Sequence, residues 1–333
     1  MDKKIIFDLL NSDGGETLAI LAAKKFAHEN PNYKLLLVGN QESINNIFKN
    51  NLPENIEIVH SPKLLHKTDN PREILREESS MLSAFNLLKE DKGSAILSSG
   101  DSGSFLTLSA LKVNRISGVL RPSFMPIMPS TNGGHFLLTD VGANVDVKPE
   151  YLVEWAKIAV EYHKLFFKTE GKQKLAILNI GTEDYKGPEV SREANKMLME
   201  SKNSFDYIGF IEPRDIIDGK ADIVISDGYA GNIFLKTMES SFLAFGKMLK
   251  SAIHKNIITK IGGLLLKKPL KAIKNKFDYH TVGGAFIIGP NKVVVKAHGS
   301  SDELAFYSAL KQIKRALDEN IIEKVERAIK GDE

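Results

Sequence analysis

Ala221-Asp222-Ile223-Val224-Ile225-Ser226-Asp227-Gly228-Tyr229-Ala230-Gly231-Asn232-Ile233-Phe234-Leu235-Lys236 is the stretch whose reading decides the fold. Ile223, Val224 and Ile225 form an apolar, β-branched run, the pattern of a strand buried on both faces of a parallel sheet. The run stops at Ser226-Asp227-Gly228. After Gly231-Asn232 a helical spacing begins at Ile233. In open α/β sheets ligands bind at the carboxyl ends of strands. The unpaired N–H groups and dipole of a helix start suit an anion. An ordinary strand–helix connection looks the same, so one such turn decides little.

The pattern recurs outward in both directions. Strands are predicted over 4–8, 35–39, 56–59, 94–98, 136–141, 174–179, 205–211, 221–226 and 292–297. Helices are predicted over 17–28, 42–48, 71–89, 150–167 and 303–320, with a frayed helical tail over 321–330. Alternating strands and helices imply a largely parallel sheet with helices on both faces. No repeat or linker interrupts the 333 residues, so a single domain is expected over 1–333. Six strand ends run into turns of Gly, Ser, Asn and Asp. They are Asp13-Gly14-Gly15-Glu16, Ser98-Ser99-Gly100-Asp101-Ser102-Gly103, Asp140-Val141-Gly142-Ala143-Asn144, Asn179-Ile180-Gly181-Thr182-Glu183, Ser226-Asp227-Gly228 and Ala297-His298-Gly299-Ser300-Ser301. Successive N–H groups in such turns form anion nests. Six in one alternating fold point to a polar site at one sheet edge.

Composition narrows the chemistry. With 42% apolar and 26% charged residues the chain reads as a globular protein able to build a core. It has no Cys, which excludes disulfides, thiolate metal sites and a cysteine nucleophile. No motif of a P-loop, a dinucleotide fold or an H-E-x-x-H zinc site is present, and no cofactor or metal is expected. The apolar run after Met1 is too short for a signal peptide, no window suits a membrane span, and a cytoplasmic location is expected. The net charge of +3 is unevenly spread: residues 240–277 contain nine Lys and no Asp or Glu. Here Ile253, Ile257, Ile261 and Leu264 fall on one helical face, with Lys250, Lys255, Lys260, Lys267 and Lys268 among the flanking cations. Gly262-Gly263 and Pro269 predict two short helices joined by a bend. Such a segment suits an anionic membrane or an acidic protein surface; packing on a twin subunit gives the same pattern.

The ordered motifs resemble the bacterial phosphate acyltransferase (PlsX) family. The resemblance is carried by Ser79-Ser80-Met81, Ser98 through Gly103, Gly118-Val119-Leu120-Arg121-Pro122, Asp140 through Asn144, and Leu178 through Glu183 with Lys186-Gly187. Asp227-Gly228 through Gly231-Asn232, Gly283-Gly284-Ala285 and His298-Gly299-Ser300-Ser301 complete it. It implies a three-layer α/β/α fold like that of isocitrate dehydrogenase and phosphotransacetylase, and a homodimer. It implies attack of orthophosphate on an acyl–acyl carrier protein thioester, at an anionic membrane surface and beside a membrane glycerol-3-phosphate acyltransferase. No nucleic acid partner is implied. A short-chain acyl-CoA enzyme and a non-catalytic scaffold of the same fold stay open.

On this resemblance Lys186, Asn232 and His298 are the catalytic candidates. Lys186 would supply a cation, Asn232 an oxyanion donor and His298 a proton-handling group. Ser98, Gly100, Ser102, Gly103, Asn144, Glu183, Asp227, Gly228, Gly231 and Arg121 are the candidates for phosphate and substrate contact. Two departures stand out: Glu16 where the family has Asp after Gly-Gly, and Asp101-Ser102 where it has Asn-Thr. A second anion at Asp101 would repel phosphate, so Asp101 is expected to point away or to pair with Arg121 or Lys186.

Overall fold

The computed structural model describes residues 3–65, 70–167, 171–201, 204–276 and 283–331. Twelve strands alternate with thirteen helices among them. The first half runs β1 (Lys4–Asp8), α1 (Thr17–Glu29), β2 (Lys34–Gly39), α2 (Gln41–Phe48), β3 (Ile56–His60), α3 (Pro71–Ile74), α4 (Ser80–Lys89), β4 (Ala95–Ser98) and α5 (Ser102–Lys112). Then come β5 (Ser123–Met125), β6 (Ile127–Pro129), β7 (His135–Thr139), α6 (Pro149–Phe166), β8 (Lys174–Leu178), α7 (Glu189–Glu200), β9 (Asp206–Ile211), α8 (Pro213–Ile217) and β10 (Ile223–Ile225). The chain ends with α9 (Gly228–His254), α10 (Ile257–Leu265), α11 (Lys267–Lys276), β11 (Ala285–Ile288), β12 (Val293–Lys296), α12 (Glu303–Asp318) and α13 (Ile321–Lys330).

The strands form two sheets rather than one. The larger has the order β3-β2-β1-β4-β12-β11-β5, and the smaller β6-β7-β10-β8-β9. All pairings are parallel except those of β11 with β12 and β5, and of β6 with β7. β5 and β6 are separated only by Pro126, which has no N–H to give a ladder and marks the step from one sheet to the other. Ile223–Ile225 lies at the centre of the smaller sheet, between β7 and β8, fully buried as its composition requires.

Three apolar clusters build the layers. One is shared by both sheets and takes Ile5, Phe7, Leu137 and Ile223 from strands and Phe26, Trp155, Phe306 and Val325 from α1, α6, α12 and α13. A second covers the other face of the larger sheet with Met81, Phe85 and Phe105 of α4 and α5. A third covers the other face of the smaller sheet with Ile216 of α8 and Phe234 of α9. Val141 packs against the second and the third, tying the two sheets together beside their strand ends.

Several boundaries differ from the sequence reading. The helix expected over 71–89 is two helices, because Ser79 is extended and caps α4 by accepting from Leu82 N–H. α9 begins at Gly228, not at Ile233, because Asp227 caps it by accepting from Ala230 N–H at 2.8 Å. The tail over 321–330 is not frayed: Ile321 and Val325 are buried and α13 packs on α6.

The basic segment also differs. Its first third is the far end of the 27-residue α9, whose buried residues all fall within its first seven. The chain bends at Lys255-Asn256, and Asn256 forms a capping box with Thr259. α10 runs through Gly262-Gly263, and α11 starts at Lys267 with Pro269 in its first turn, where a missing N–H costs nothing. Ile253 therefore does not share a helix with Ile257, Ile261 and Leu264. A Cβ on Gly263 would stand 2.3 Å from Ile253, so α10 folds back closely on α9. Phe277, the last residue of the predicted segment, lies outside the described residues.

Candidate active site at the strand ends

The carboxyl ends of β1, β4 and β12 form the first cluster. Lys296 is in register with Ser98, and Phe7 with Leu97. Asp8, Ser98 and Lys296 thus make one polar row, on the sheet face that carries Ile6, Ile96 and Val294. Asp8 is fully buried; its Oδ2 accepts from Ser98 Oγ at 2.6 Å and from Asn11 Nδ2 at 2.8 Å, while Oδ1 has no partner. Burial pushes its carboxyl above the ordinary range, and these donors oppose that. Ser98 Oγ also accepts from Gly100 N–H. A Cβ at Gly100 would stand 2.0 Å from the Met81 methyl and 2.9 Å from Asn11 Cβ, so the turn lies close against α4 and the loop after β1.

The rest of that turn leads into α5. Asp101 caps the helix, accepting from Ser104 N–H at 2.9 Å and Ser104 Oγ at 3.0 Å. It pairs with neither Arg121 nor Lys186, and the cation acting on it is Lys296. Ser102 and Gly103 are exposed in the first turn. His298 is exposed in the loop after β12. Its Nδ1 lies 2.8 Å from Ser300 Oγ and accepts from Ser300 N–H at 3.2 Å. The cap of α12 is Asp302, which accepts from Ala305 N–H. A Cβ on Gly299 would stand 2.8 Å from the Asp13 carboxylate, which places this loop against the turn after β1.

The ends of β7, β10 and β8 form the second cluster. Asp140 is buried and knots it: Oδ1 accepts from Phe124 N–H at 2.9 Å and Ala143 N–H at 3.1 Å, and Oδ2 from Asn144 N–H at 2.7 Å and Asn144 Nδ2 at 3.0 Å. Burial raises its pKa and those four donors pull it back. Asn144 Nδ2 also donates to Pro122 O. Gly228 N–H donates to Asn144 O at 2.8 Å, and a Cβ on Gly231 would stand 1.9 Å from Asp140 O. The first turn of α9 therefore rests directly on the β7 turn, and Asn232 lies over Gly142. At the end of β8, Lys186 and Glu183 form a 2.8 Å ion pair across Gly181. The hydrogen bond and charge of Glu183 push the Lys186 ammonium upward. Asn179 fixes the loop by donating to Lys186 O at 3.0 Å.

Twelve of the thirteen predicted catalytic and substrate residues thus lie in two strand-end clusters. Ser98, Gly100, Ser102, Gly103 and His298 belong to the larger sheet, and Asn144, Asp227, Gly228, Gly231 and Asn232 to the smaller. Lys186 and Glu183 follow β8 in the same smaller sheet. Arg121 stands apart, exposed before the crossing between sheets; its carbonyl accepts from Trp155 Nε1. Two residues escaped the sequence reading as site members: Asp8, and Lys296, which closes the apolar run Val293-Val294-Val295 and looks there like a strand edge. Among the described residues no cluster of His, Cys, Asp and Glu has the make-up of a metal site.

An α/β/α fold with its polar residues at parallel strand ends is the architecture of the phosphotransacetylases. The structure is similar to a phosphotransacetylase from Streptococcus pyogenes, with a TM-score of 0.60 at 17% identity over 99% of this chain and 94% of that one. It is also similar to a branched-chain phosphotransacylase from Enterococcus faecalis, with a TM-score of 0.54 at 14% identity over 94% and 99%. The family is shown by sequence. A family model described as "Fatty acid synthesis protein" matches residues 3–324. Proteins named phosphate acyltransferase match at 44% identity in Mycoplasma mobile, over 96% of this chain and 98% of the relative, and at 34% in Anoxybacillus flavithermus, over 98% of each. The chain belongs to the phosphate acyltransferase family and is an acyltransferase.

Proposed function

We propose that this protein moves a long-chain acyl group from acyl carrier protein to orthophosphate, supplying acyl phosphate for glycerol-3-phosphate acylation in phospholipid synthesis. Residues 1–333 act as one catalytic unit. The observation that carries the choice of acyl donor is the surface of α9 beyond Glu239, α10 and α11. It has no acid, it is rich in lysine, and Ile257, Ile258 and Leu265 are each more than 75% exposed. Acyl carrier protein is an acidic domain bearing a fatty chain, and this surface complements both features. The same surface suits an anionic bilayer, next to which a membrane glycerol-3-phosphate acyltransferase would use the product. A homodimer in the cytoplasm, held reversibly at the inner face of the membrane, follows from this reading.

The roles follow from the chemistry. Orthophosphate needs N–H donors and a fixed cation. The turns at 98–103 and 227–232 supply the donors, and Lys186, held by Glu183, supplies the cation. The thioester oxygen becomes an oxyanion as phosphate attacks, and Asn232 is the donor positioned for it by Gly142. No Cys exists to carry an acyl-enzyme, so direct attack in a ternary complex is the expected course.

The test is hydroxylamine trapping of acyl phosphate, with acyl–acyl carrier protein and acyl-CoA run side by side, with and without phosphate. Phosphate-dependent hydroxamate, formed faster from the carrier protein, is expected. Preference for acyl-CoA would replace the donor, and no product from either would leave a scaffold.

A further inference from the structure

Lys296 ends β12 within the polar row that it shares with Ser98 and Asp8. Its ammonium donates to Ala297 O at 2.8 Å and to Ser99 O at 3.4 Å. Both acceptors are neutral, and no carboxylate among the described residues is in ion-pair contact with it. Two of its three N–H groups are engaged, which leaves one for a ligand. Burial pushes the ammonium down to about 8, against the pull of Asp101 and Asp13. Around the same strand ends, Ser99 and Ser301 have buried hydroxyl oxygens with no partner. Lys186 is the counterpart: half-buried at the end of β8, paired with Glu183 and pushed upward. Two groups of one kind driven apart by their surroundings mark a division of labour. Lys186 keeps its proton; Lys296 is able to give one up.

We propose that Lys296 donates a proton to the departing sulfur of the acyl thioester. The proposal rests on the acyl-transfer reading above. An oxygen of hydrogen phosphate bonds to the thioester carbonyl carbon, and the carbon–sulfur bond breaks with its electron pair going to sulfur. The sulfur takes a proton from Lys296 Nζ. The proton remaining on the new acyl phosphate passes to the neutral amine, directly or through water, and resets it. Hydrogen phosphate and thioester enter; acyl phosphate and thiol leave. An alkyl thiol has a pKa of about 8.5, close to that of its donor, which is the match that favours proton transfer.

The experiment compares wild type with Lys296→Gln and Lys296→Arg, using two donors of one acyl chain. One is acyl–acyl carrier protein, with the acyl-pantetheine thioester as its small-molecule equivalent. The other is a nitrothiophenyl thioester, whose thiolate leaves without a proton. With the alkyl thioesters both variants are expected to lose about 100-fold or more in kcat, because guanidinium holds its proton too tightly to rescue. With the aryl thioester the loss is expected to stay under about 5-fold. Circular dichroism establishes that each variant is folded. The wild type alone supplies a second measurement: its rate falls as pH rises through about 8 with alkyl donors and not with the aryl donor. Asp8, Asp13, Asp101 and, two residues on, His298 also surround Lys296, so it is this dependence on the donor that assigns the limb. Equal losses with both donors, rescue by Arg, or a limb indifferent to the leaving group would each overturn the proposal. A wild type inactive with the carrier protein but active with pantetheine and aryl thioesters would sink the carrier reading and leave the Lys296 comparison intact.

Discussion

Ser98 Oγ donates a 2.6 Å hydrogen bond to the fully buried carboxyl of Asp8, and the same oxygen accepts from Gly100 N–H. One hydroxyl thus neutralises a costly buried group and fixes the turn proposed to meet phosphate. Ser98→Ala removes the 2.6 Å bond and leaves Asp8 to the support of Asn11, Ser80 and the Leu10 backbone. A loss of about 1–3 kcal/mol in urea unfolding is expected. A variant within about 0.5 kcal/mol of wild type would show that Asp8 relaxes freely.

The contact between α9 and the β7 turn is closer still. A Cβ at Gly231 would stand 1.9 Å from the backbone oxygen of Asp140, a residue whose N–H donates to Ser226 O and whose carboxylate accepts four hydrogen bonds. Gly231→Ala must lever α9 off the turn and carry Asn232 with it. Destabilisation of about 1–3 kcal/mol is expected, together with a fall in turnover larger than that of Gly246→Ala, where nothing lies within 4 Å. Equal effects at the two positions would contradict the tight seat.

How far the sequence was legible depends on which force set each feature. The strand at Ile223–Ile225 was plain because apolar β-branched runs bury themselves. The start of α9 was hidden, since Gly228 and Gly231 are poor helix formers, kept there by a backbone approach that no propensity encodes. β5 and β6 were missed because they are three residues each and flank Pro126, and the two-sheet division went with them. Ser98, Asn232 and Lys186 stand out as site candidates through motifs. Lys296 was not, because its burial comes from the β4–α5 turn, nearly 200 residues away in sequence.

Glu154 gives a pH test of the fold. Both of its oxygens accept from Leu120 N–H at 3.0 Å, and burial raises its pKa from 4.5 to about 7. A carboxyl whose folded pKa is raised binds its proton more tightly in the folded state. Its contribution is therefore fully present below about 4.5 and is lost as pH rises through about 7. Glu154→Gln is expected to flatten that part of the stability profile and to be the more stable form at pH 8. Parallel profiles of the two proteins between pH 5 and 8 would show that Glu154 does not carry this slope.

Lys186 and Asn232 sit at different strand ends of one sheet and are proposed to serve the same developing charge. Lys186→Ala and Asn232→Ala are each expected to reduce turnover by about 100-fold, with thermal unfolding little changed because both residues are only half-buried. Lys186→Ala also frees Glu183, so Glu183→Gln with Lys186 intact is the companion variant; it should cost far less. Near-normal turnover in both alanine variants would move the phosphate site away from the smaller sheet.

The helices beyond the body of the protein carry the last prediction. α10 has no buried residue: Ile257, Ile261 and Leu264 are exposed, with Lys260 on the same helix and Lys267, Lys268 and Lys271 following on α11. An apolar face of this size left in water is a binding surface. Besides the acyl carrier protein proposed above, two occupants fit it, a bilayer and a second copy of this chain. Lysine without any acid favours the bilayer, because a twin subunit would bring the same unpaired charge to the contact. The Ile257→Asp/Ile261→Asp double variant is expected to lose binding to anionic vesicles while keeping its oligomeric state and its activity on a small acyl-pantetheine thioester. Wild-type binding should also weaken with added salt, since the Debye length shrinks from about 8 Å at physiological ionic strength to about 3 Å at 1 M. Vesicle co-sedimentation of both proteins, read beside sedimentation velocity, separates the two occupants. Equal vesicle binding by both proteins, or dissociation of the variant into monomers, would assign this face to a subunit contact instead.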